Sequence, residues 1–205
     1  SLGVPVAKHG NRGVSSRSGS FDVLEELGVR WQMSPEKSAE CLARHDLCFL
    51  FAPDYHPVFR ELAPLRKAAS ARGSRTVFNL LGPLLNPARP KRQFIGVPRL
   101  DLPVKYSRVM RACGLEEGMA VCGRTRAGEP MDELSVTNTS EMSLFVGDTF
   151  TDRDLEMDWA TEDDSVFEVQ DARESAAAIR AILLGTDSGP RRDLVILNAA
   201  AALLV

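Results

Sequence analysis

Aromatic, sulfur-bearing and imidazole side chains are scarce in this 205-residue chain, which has two Trp, two Tyr, nine Phe, four Cys and three His. The cysteines (Cys41, Cys48, Cys113, Cys122) form no Cys-x-x-Cys pair and have no His at metal-ligand spacing, so neither a disulfide scaffold nor a zinc site is expected. Free thiols, mostly in the core of a protein kept in a reducing compartment, fit them better. No apolar run reaches the roughly 18–20 residues of a membrane helix, and the opening SLGVPVAKHG is too short and wrongly flanked for a signal peptide. A cytoplasmic protein is therefore expected. Neither an internal repeat nor a low-complexity tract is present, and 44% apolar with 26% charged residues excludes collagen, coiled coil and disorder.

Net charge is also nearly lacking, at −3, but the total conceals an asymmetry. Residues 1–111 carry 18 basic and 9 acidic side chains, whereas residues 112–205 carry 7 basic and 19 acidic. A basic half suits a polyanionic partner; an acidic half suits a cation or a solvated face.

The apolar patterning predicts alternating strands and helices. Val4 to Ala7 reads as a strand, followed by a polar loop from Lys8 to Ser20 and a helix carrying Phe21, Val23, Leu24 and Leu27 up to Gly28. Ser34-Pro35-Glu36 is a helix-start signal for a helix through about Arg44. Leu47 to Ala52 is a continuous apolar run, as in a strand buried on both faces. His56 to Ala71 has a helical pattern with a break at Pro64. Strands follow at Gln93 to Val97 and Met119 to Gly123, around a helix from Leu102 to Cys113. An antiparallel ribbon or long loops are expected over 133–170, and two final helices at Ser175 to Leu184 and Leu194 to Val205. This order predicts an α/β fold with a central, largely parallel or mixed sheet flanked by helices. Because the last apolar run has no closing signal and the first strand has no upstream partner, the chain reads as an internal piece of a longer protein, incomplete at both ends.

Three segments have the residue types for chemistry. KHGNRGVSSRSGS, Lys8 to Ser20, places cations, an imidazole, an amide and hydroxyls in a Gly-punctuated turn between a strand and a helix, where backbone N–H groups favour a phosphate. A plain polar connection would use many of the same residues. Asp132-Glu133 supplies two hard oxygen donors of the kind that hold magnesium together with water and substrate phosphates, although adjacent acids are commonly solvated surface. HPVFRELAPLRKA, His56 to Ala68, brings Arg60 and Arg66 near an aromatic and a His; an Arg fork suits a carboxylate, and a solvated amphipathic helix is the alternative. A fourth segment, RTVFNLLGPLLNP, looks like packing.

Taken in order, VAKHGNRGVSSRSGSFDVLEELGV, FAPDYHPVFRELAPLRKAASARGSRTVFNLLGPLLNPA, Q-x-x-G-V at 93–97 and MDELS at 131–135 resemble anthranilate phosphoribosyltransferase, the tryptophan-pathway enzyme. The resemblance implies a nucleoside phosphorylase/phosphoribosyltransferase-like domain and transfer of the phosphoribosyl group from phosphoribosyl pyrophosphate (PRPP) to the amine of anthranilate. It implies that Lys8, His9, Gly10, Asn11, Arg12, Gly13, Val14, Ser15, Ser16 and Ser20 wrap the ribose phosphate and pyrophosphate. Asn11 and Arg66 match anthranilate contacts, while His56, Phe59 and Arg60 match the wall of the aromatic substrate's channel. Asp132 and Glu133 match the magnesium pair, so Mg2+ is the implied cofactor. No nucleophilic catalytic side chain is implied or present in a recognisable arrangement.

Against that pattern, an upstream Gly-rich turn with its metal-ligating hydroxyl and a small N-terminal helical domain that forms the dimer contact would precede Ser1. Residues 1–205 are accordingly expected to be part of the large α/β domain, the piece alone inactive, and the parent a homodimer. Glu129 and Pro130 lengthen the turn before Asp132, and Phe21 and Leu85 replace smaller residues, read as packing changes. Two rival functions share the fold, a pyrimidine nucleoside phosphorylase and a non-catalytic nucleic-acid-binding relative. Persistence of the phosphate segment and the acidic pair disfavours the second, and neither a membrane nor a nucleic-acid partner is expected.

Overall fold

The computed structural model describes residues 3–13, 18–62, 78–157, 159 and 164–205, with backbone alone at 59, 60, 78 and 79. The chain divides into two compact units, Ser1–Arg89 with Val169–Arg180, and Pro90–Glu168 with Ala181–Val205.

In the first unit, β1 (Val6–Gly10) and β2 (Leu47–Phe51) pair in parallel, with Val6 opposite Leu47 and Gly10 opposite Phe51. The first strand thus lies further along the chain than its apolar residues predict. Pairing with β2 carries Lys8 and His9 into the ladder, because backbone hydrogen bonds are indifferent to side-chain polarity. Strand β2 is covered on both faces except at its first residue. Cys48 and Leu50 are buried on one face, Phe49 and Phe51 are partly buried on the other against the Phe21 and Trp31 rings, and Leu47 at the strand's start is 41% exposed.

Helix α1 (Ser20–Glu26) follows the polar loop, and α2 (Pro35–His45) starts where Ser34 and Pro35 predict, with Ser34 Oγ accepting from the Lys37 N–H at 3.3 Å. A short helix, α3 (Ala52–Tyr55), precedes the helix expected from His56, which starts at Pro57 as α4 (Pro57–Glu61); the rest of that expected helix, beyond residue 62, lies outside the described residues. Pro57 lacks the N–H that would continue α3, so the break falls at His56; Pro64 lies outside the described residues. After α5 (Phe78–Leu81), a 3-10 turn at Gly82–Leu85 leads to Asn86, whose Nδ2 donates to the Ala7 carbonyl of β1 at 2.9 Å.

Phe21, Leu24 and Trp31 form this unit's core with Val29, Phe49 and Phe51. Phe21 is fully buried, and its ring meets Trp31 edge-on at 5.0 Å, an arrangement worth roughly 1 kcal/mol beyond the area buried. Phe21 is therefore a packing residue, as expected. Leu85 is not, being 37% exposed at the end of its turn.

The second unit is built on one mixed sheet, ordered β3 (Arg92–Gly96), β4 (Glu117–Arg124), β6 (Ser140–Val146), β7 (Thr149–Leu155), with β5 (Pro130–Met131) pairing on β4. β3 and β4 are parallel, joined through α6 (Pro103–Ala112); the other pairs are antiparallel. The ribbon expected over 133–170 is thus the β6–β7 hairpin. Arg108 of α6 holds that hairpin by a fork to Asp152, at 2.9 and 2.8 Å, with its guanidinium 4.1 Å from the Phe150 ring centre.

Along β4 the residues from Gly118 to Gly123 are all buried, which is why its run is apolar without alternation. Met119 and Val121 meet Leu134, Val136, and Leu197 and Ala201 of α8 (Pro190–Leu203) in the core. Helix α7 (Ala172–Leu183) precedes α8. The two final helices both begin earlier than their apolar residues suggest, since polar first turns add length without adding hydrophobic signal.

Among the four cysteines, Cys48 and Cys122 are buried, Cys41 is intermediate and Cys113 exposed, all free thiols. No helix among the described residues is long and apolar enough to cross a membrane.

Candidate functional site

In the first unit, the polar segment starts inside β1 and turns at Asn11 into α1. Its first residues sit at the C-terminal end of a parallel strand, where open α/β sheets place their ligands. Lys8 is exposed. His9 is partly buried, its ring edge-on to that of His56 with centroids 5.2 Å apart, and its Nε2 is buried with no hydrogen-bond partner among the described residues. Burial, then the neighbouring His56, push the His9 pKa down from 6.5 to about 4, a hydrogen bond to the Gly82 backbone opposing them. At neutral pH His9 is thus an uncharged imidazole with one unsatisfied nitrogen, suited to a single hydrogen bond with a ligand rather than to charge pairing.

This shift has a stability consequence. Between pH 4 and 6.5 the unfolded chain binds a proton at His9 that the folded chain refuses, so stability rises with pH across that window. The contribution is complete above 6.5 and is lost as pH falls toward 4. Thermal melts are expected to show a steeper fall in Tm from pH 7 to pH 5 for the natural sequence than for His9→Gln. Equal slopes would remove His9 as the source.

Beyond His9 the loop turns back on α1. Asn11 Oδ1 accepts from the Arg12 N–H at 2.8 Å, and the Asn11 carbonyl accepts from the Phe21 N–H at 3.5 Å. Arg12 extends over α1: one guanidinium nitrogen donates to Glu25 at 2.6 Å, the other to Asp22 at 3.3 Å, and its carbon lies 5.3 Å from the Trp31 ring centre. Ser20 opens α1 and is exposed. His56, between α3 and α4, faces His9. Phe59 and Arg60 lie on α4, where the backbone alone is described. Val14, Ser15, Ser16 and Arg66 lie outside the described residues.

In the second unit, the turn through Glu129 and Pro130 has a clear structural use. Gly128 N–H donates to the Thr125 carbonyl and Thr125 N–H to the Glu129 carbonyl, closing a turn from which Pro130 and Met131 pair back onto Arg124 and Gly123. The chain then crosses the ends of β3 and β4 at Asp132 and Glu133. Gly123 N–H donates to the Glu133 carbonyl at 2.8 Å. Gly96, the last residue of β3, lies so close beneath Asp132 that a Cβ there would stand 1.5 Å from the Asp132 carbonyl oxygen. Next along, Asn198 of α8 grips both backbone groups of Leu134, its Oδ1 accepting from the N–H at 2.8 Å and its Nδ2 donating to the carbonyl at 3.1 Å. Ser135 N–H donates to Ser140 Oγ at 2.9 Å.

The main chain of the acidic pair is therefore fixed while both side chains are exposed. Two hard carboxylate oxygen donors on an immobile backbone, open to water, match the coordination habits of magnesium, which keeps several waters and takes few protein ligands. Asp132 and Glu133 are the residues that would hold it. Among the described residues no cluster of three or more His, Cys, Asp or Glu offers a closed cage.

The whole chain, residues 1–205, matches the model of the glycosyl transferase family, a/b domain. The chain belongs to that family. Within this glycosyl transferase family, the anthranilate phosphoribosyltransferase of Halalkalibacterium halodurans is 41% identical over 98% of this chain and 58% of its own length. That of Methylobacterium nodulans is 43% identical over all of this chain and 59% of its own. The crystal structure of anthranilate phosphoribosyltransferase from Thermus thermophilus superposes with a TM-score of 0.83 at 35% identity, covering 98% of this chain and 58% of that one. The Saccharomyces cerevisiae enzyme, in complex with PRPP and Mg, shares the fold at a TM-score of 0.79 and 24% identity. The chain thus spans under two thirds of the length of the relatives it matches.

For this glycosyl transferase chain, four residues that shape the two segments escape sequence reasoning. Asp22, Trp31, Asn86 and Asn198 act through backbone or ring contacts distant in sequence. Asn198 alone carries a local signal: it is the one amide in the apolar run LVILNAAAALLV.

Proposed function

We propose that the protein carrying this chain transfers the phosphoribosyl group of PRPP to the amine of anthranilate, releasing pyrophosphate, and that residues 1–205 form part of its large α/β domain. The observation that carries this reading is the 41% identity over 98% of the chain to an anthranilate phosphoribosyltransferase, a match whose span includes both the Lys8–Ser20 and the Asp132-Glu133 segments.

In the proposed reaction the ribose C1–oxygen bond to pyrophosphate breaks and a C1–nitrogen bond forms, the amine losing a proton. Charge builds on the leaving group while the ribose gains cationic character, so catalysis consists of holding two substrates in line and stabilising an anion. Lys8 brings positive charge to the phosphates from the end of β1. With its other ring nitrogen donating to the Gly82 backbone, the Nε2 of His9 accepts one hydrogen bond, as from a ribose hydroxyl, without adding charge, and Asn11 and Ser20 offer polar groups on the same turn. His56, Phe59, Arg60 and Arg66 are assigned to the aromatic acid. Asp132 and Glu133 would hold Mg2+, which would offset the charge of the pyrophosphate.

The test is PRPP-dependent loss of anthranilate fluorescence with the protein that carries this chain. Consumption of anthranilate only when PRPP is present supports the reading. No consumption, with phosphorolysis of thymidine or uridine instead, would replace it by a nucleoside phosphorylase.

A further inference from the structure

The turn between β1 and α1 is held by one carboxylate whose role no substrate contact explains. Asp22, at the third position of α1, accepts through a single oxygen, Oδ2, from the Gly13 N–H at 2.9 Å and the Gly19 N–H at 2.8 Å. Its other oxygen takes the Arg12 guanidinium at 3.3 Å. The two glycines flank residues 14–18 of the polar segment, and they are brought together closely: a Cβ on Gly19 would stand 2.2 Å from the Gly13 nitrogen and 2.3 Å from the Arg12 carbonyl carbon. Backbone N–H groups bound to a carboxylate make stronger, shorter bonds than neutral pairs. Those bonds, followed by Arg12, hold the Asp22 carboxyl below its usual range.

We propose that Asp22 is a positioning residue that clamps the ends of the phosphate-binding turn, and that Arg12 braces this clamp instead of binding phosphate. The inference rests on the assignment of PRPP to this segment. Two features favour it over direct phosphate contact by these groups. The Gly13 and Gly19 amides, the natural donors for an anion in such a turn, are already committed to Asp22. The Arg12 guanidinium is likewise committed, to Asp22 and Glu25, and lies over Trp31 on the α1 side. A clamp of this kind lowers the entropy lost when a flexible turn orders around a ligand.

Asp22→Ala, Asp22→Asn, Arg12→Ala and the Asp22→Ala/Arg12→Ala pair, made in the protein that carries this chain, test the clamp in two ways. Hydrogen exchange of the 11–20 backbone needs no substrate. Asp22→Ala is expected to speed it tenfold or more, and Asp22→Asn, whose amide oxygen still accepts from both glycines, to recover most of the protection. Steady-state kinetics are expected to show the KM for PRPP up tenfold or more in Asp22→Ala with the KM for anthranilate within twofold. The double variant should be no worse than the worse single one, as for residues acting as a unit. Unchanged exchange in Asp22→Ala, equal loss in Asp22→Asn, or multiplying effects of Asp22→Ala and Arg12→Ala on the KM for PRPP would each overturn the clamp. If the natural protein binds no PRPP, the assignment of substrate fails, while the exchange rates still decide whether Asp22 holds the turn.

Discussion

Replacing Gly96 by alanine is expected to lower the Tm by roughly 6–12 °C and to remove most Mg2+-dependent activity in the same step. The new Cβ would fall 1.5 Å from the Asp132 carbonyl oxygen and 2.3 Å from its carbon, both main-chain atoms. No side chain can swing aside to relieve that overlap. Either the end of β3 or the Asp132 backbone must move, and the latter is pinned one residue on by the Gly123–Glu133 hydrogen bond and two residues on by Asn198. Overpacking of this kind costs about 3 kcal/mol, toward the upper end for single substitutions. Gly82→Ala provides the control, because nothing stands within 4 Å of a Cβ there, and its Tm is expected to stay within about 2 °C of the natural protein's. Differential scanning calorimetry of the two variants decides. A Gly96→Ala protein as stable as Gly82→Ala would show that the crossing of Asp132 over β3 is looser than the geometry requires.

The visibility of these features in the sequence follows from their range. Helix α2 could be read to within a residue or two because its start is written locally, in Ser34 and Pro35. The α/β class and the mixed sheet were legible for the same reason, since each strand and helix carries its own apolar period. The first strand was misplaced because Lys8 and His9 owe their β conformation to β2, some forty residues away. Helix α3 escapes notice because its four residues continue the apolar run of β2, and Pro57, which has no N–H to extend it, separates it from α4 at His56. The Lys8–Ser20 segment and the acidic pair stand out by residue type and order. Their supports do not, because a Gly that admits a main chain looks the same in sequence as a Gly that turns one, and Asp22 looks like any acid in a first helical turn. The turn at Glu129-Pro130, which in sequence is only a lengthened connection, is the piece that returns the chain onto β4 just ahead of Asp132 and Glu133.

The acidic side chains themselves should behave in the opposite way to the glycine beneath them. Asp132→Asn with Glu133→Gln is expected to leave the Tm within about 2 °C, since both side chains are exposed and the packing at this point is made by the main chain. Activity should nevertheless fall by roughly 100- to 1,000-fold at a fixed low Mg2+ concentration, the scale found when one element that stabilises developing charge is removed. Neutral amides are far poorer ligands for a hard cation than carboxylates, so excess Mg2+ should restore part of the lost rate and the midpoint of a Mg2+ titration should move to higher concentration. Titrating activity with Mg2+ in the natural and doubly substituted proteins measures both effects. An unchanged midpoint would detach the metal from this pair and make Asp132 and Glu133 solvated surface. A large loss of Tm would mean instead that the carboxylates hold the crossing themselves. Set beside Gly96→Ala, which should damage fold and rate together, loss of rate alone identifies the pair as chemistry carried on a main chain that β3, β4 and Asn198 hold still.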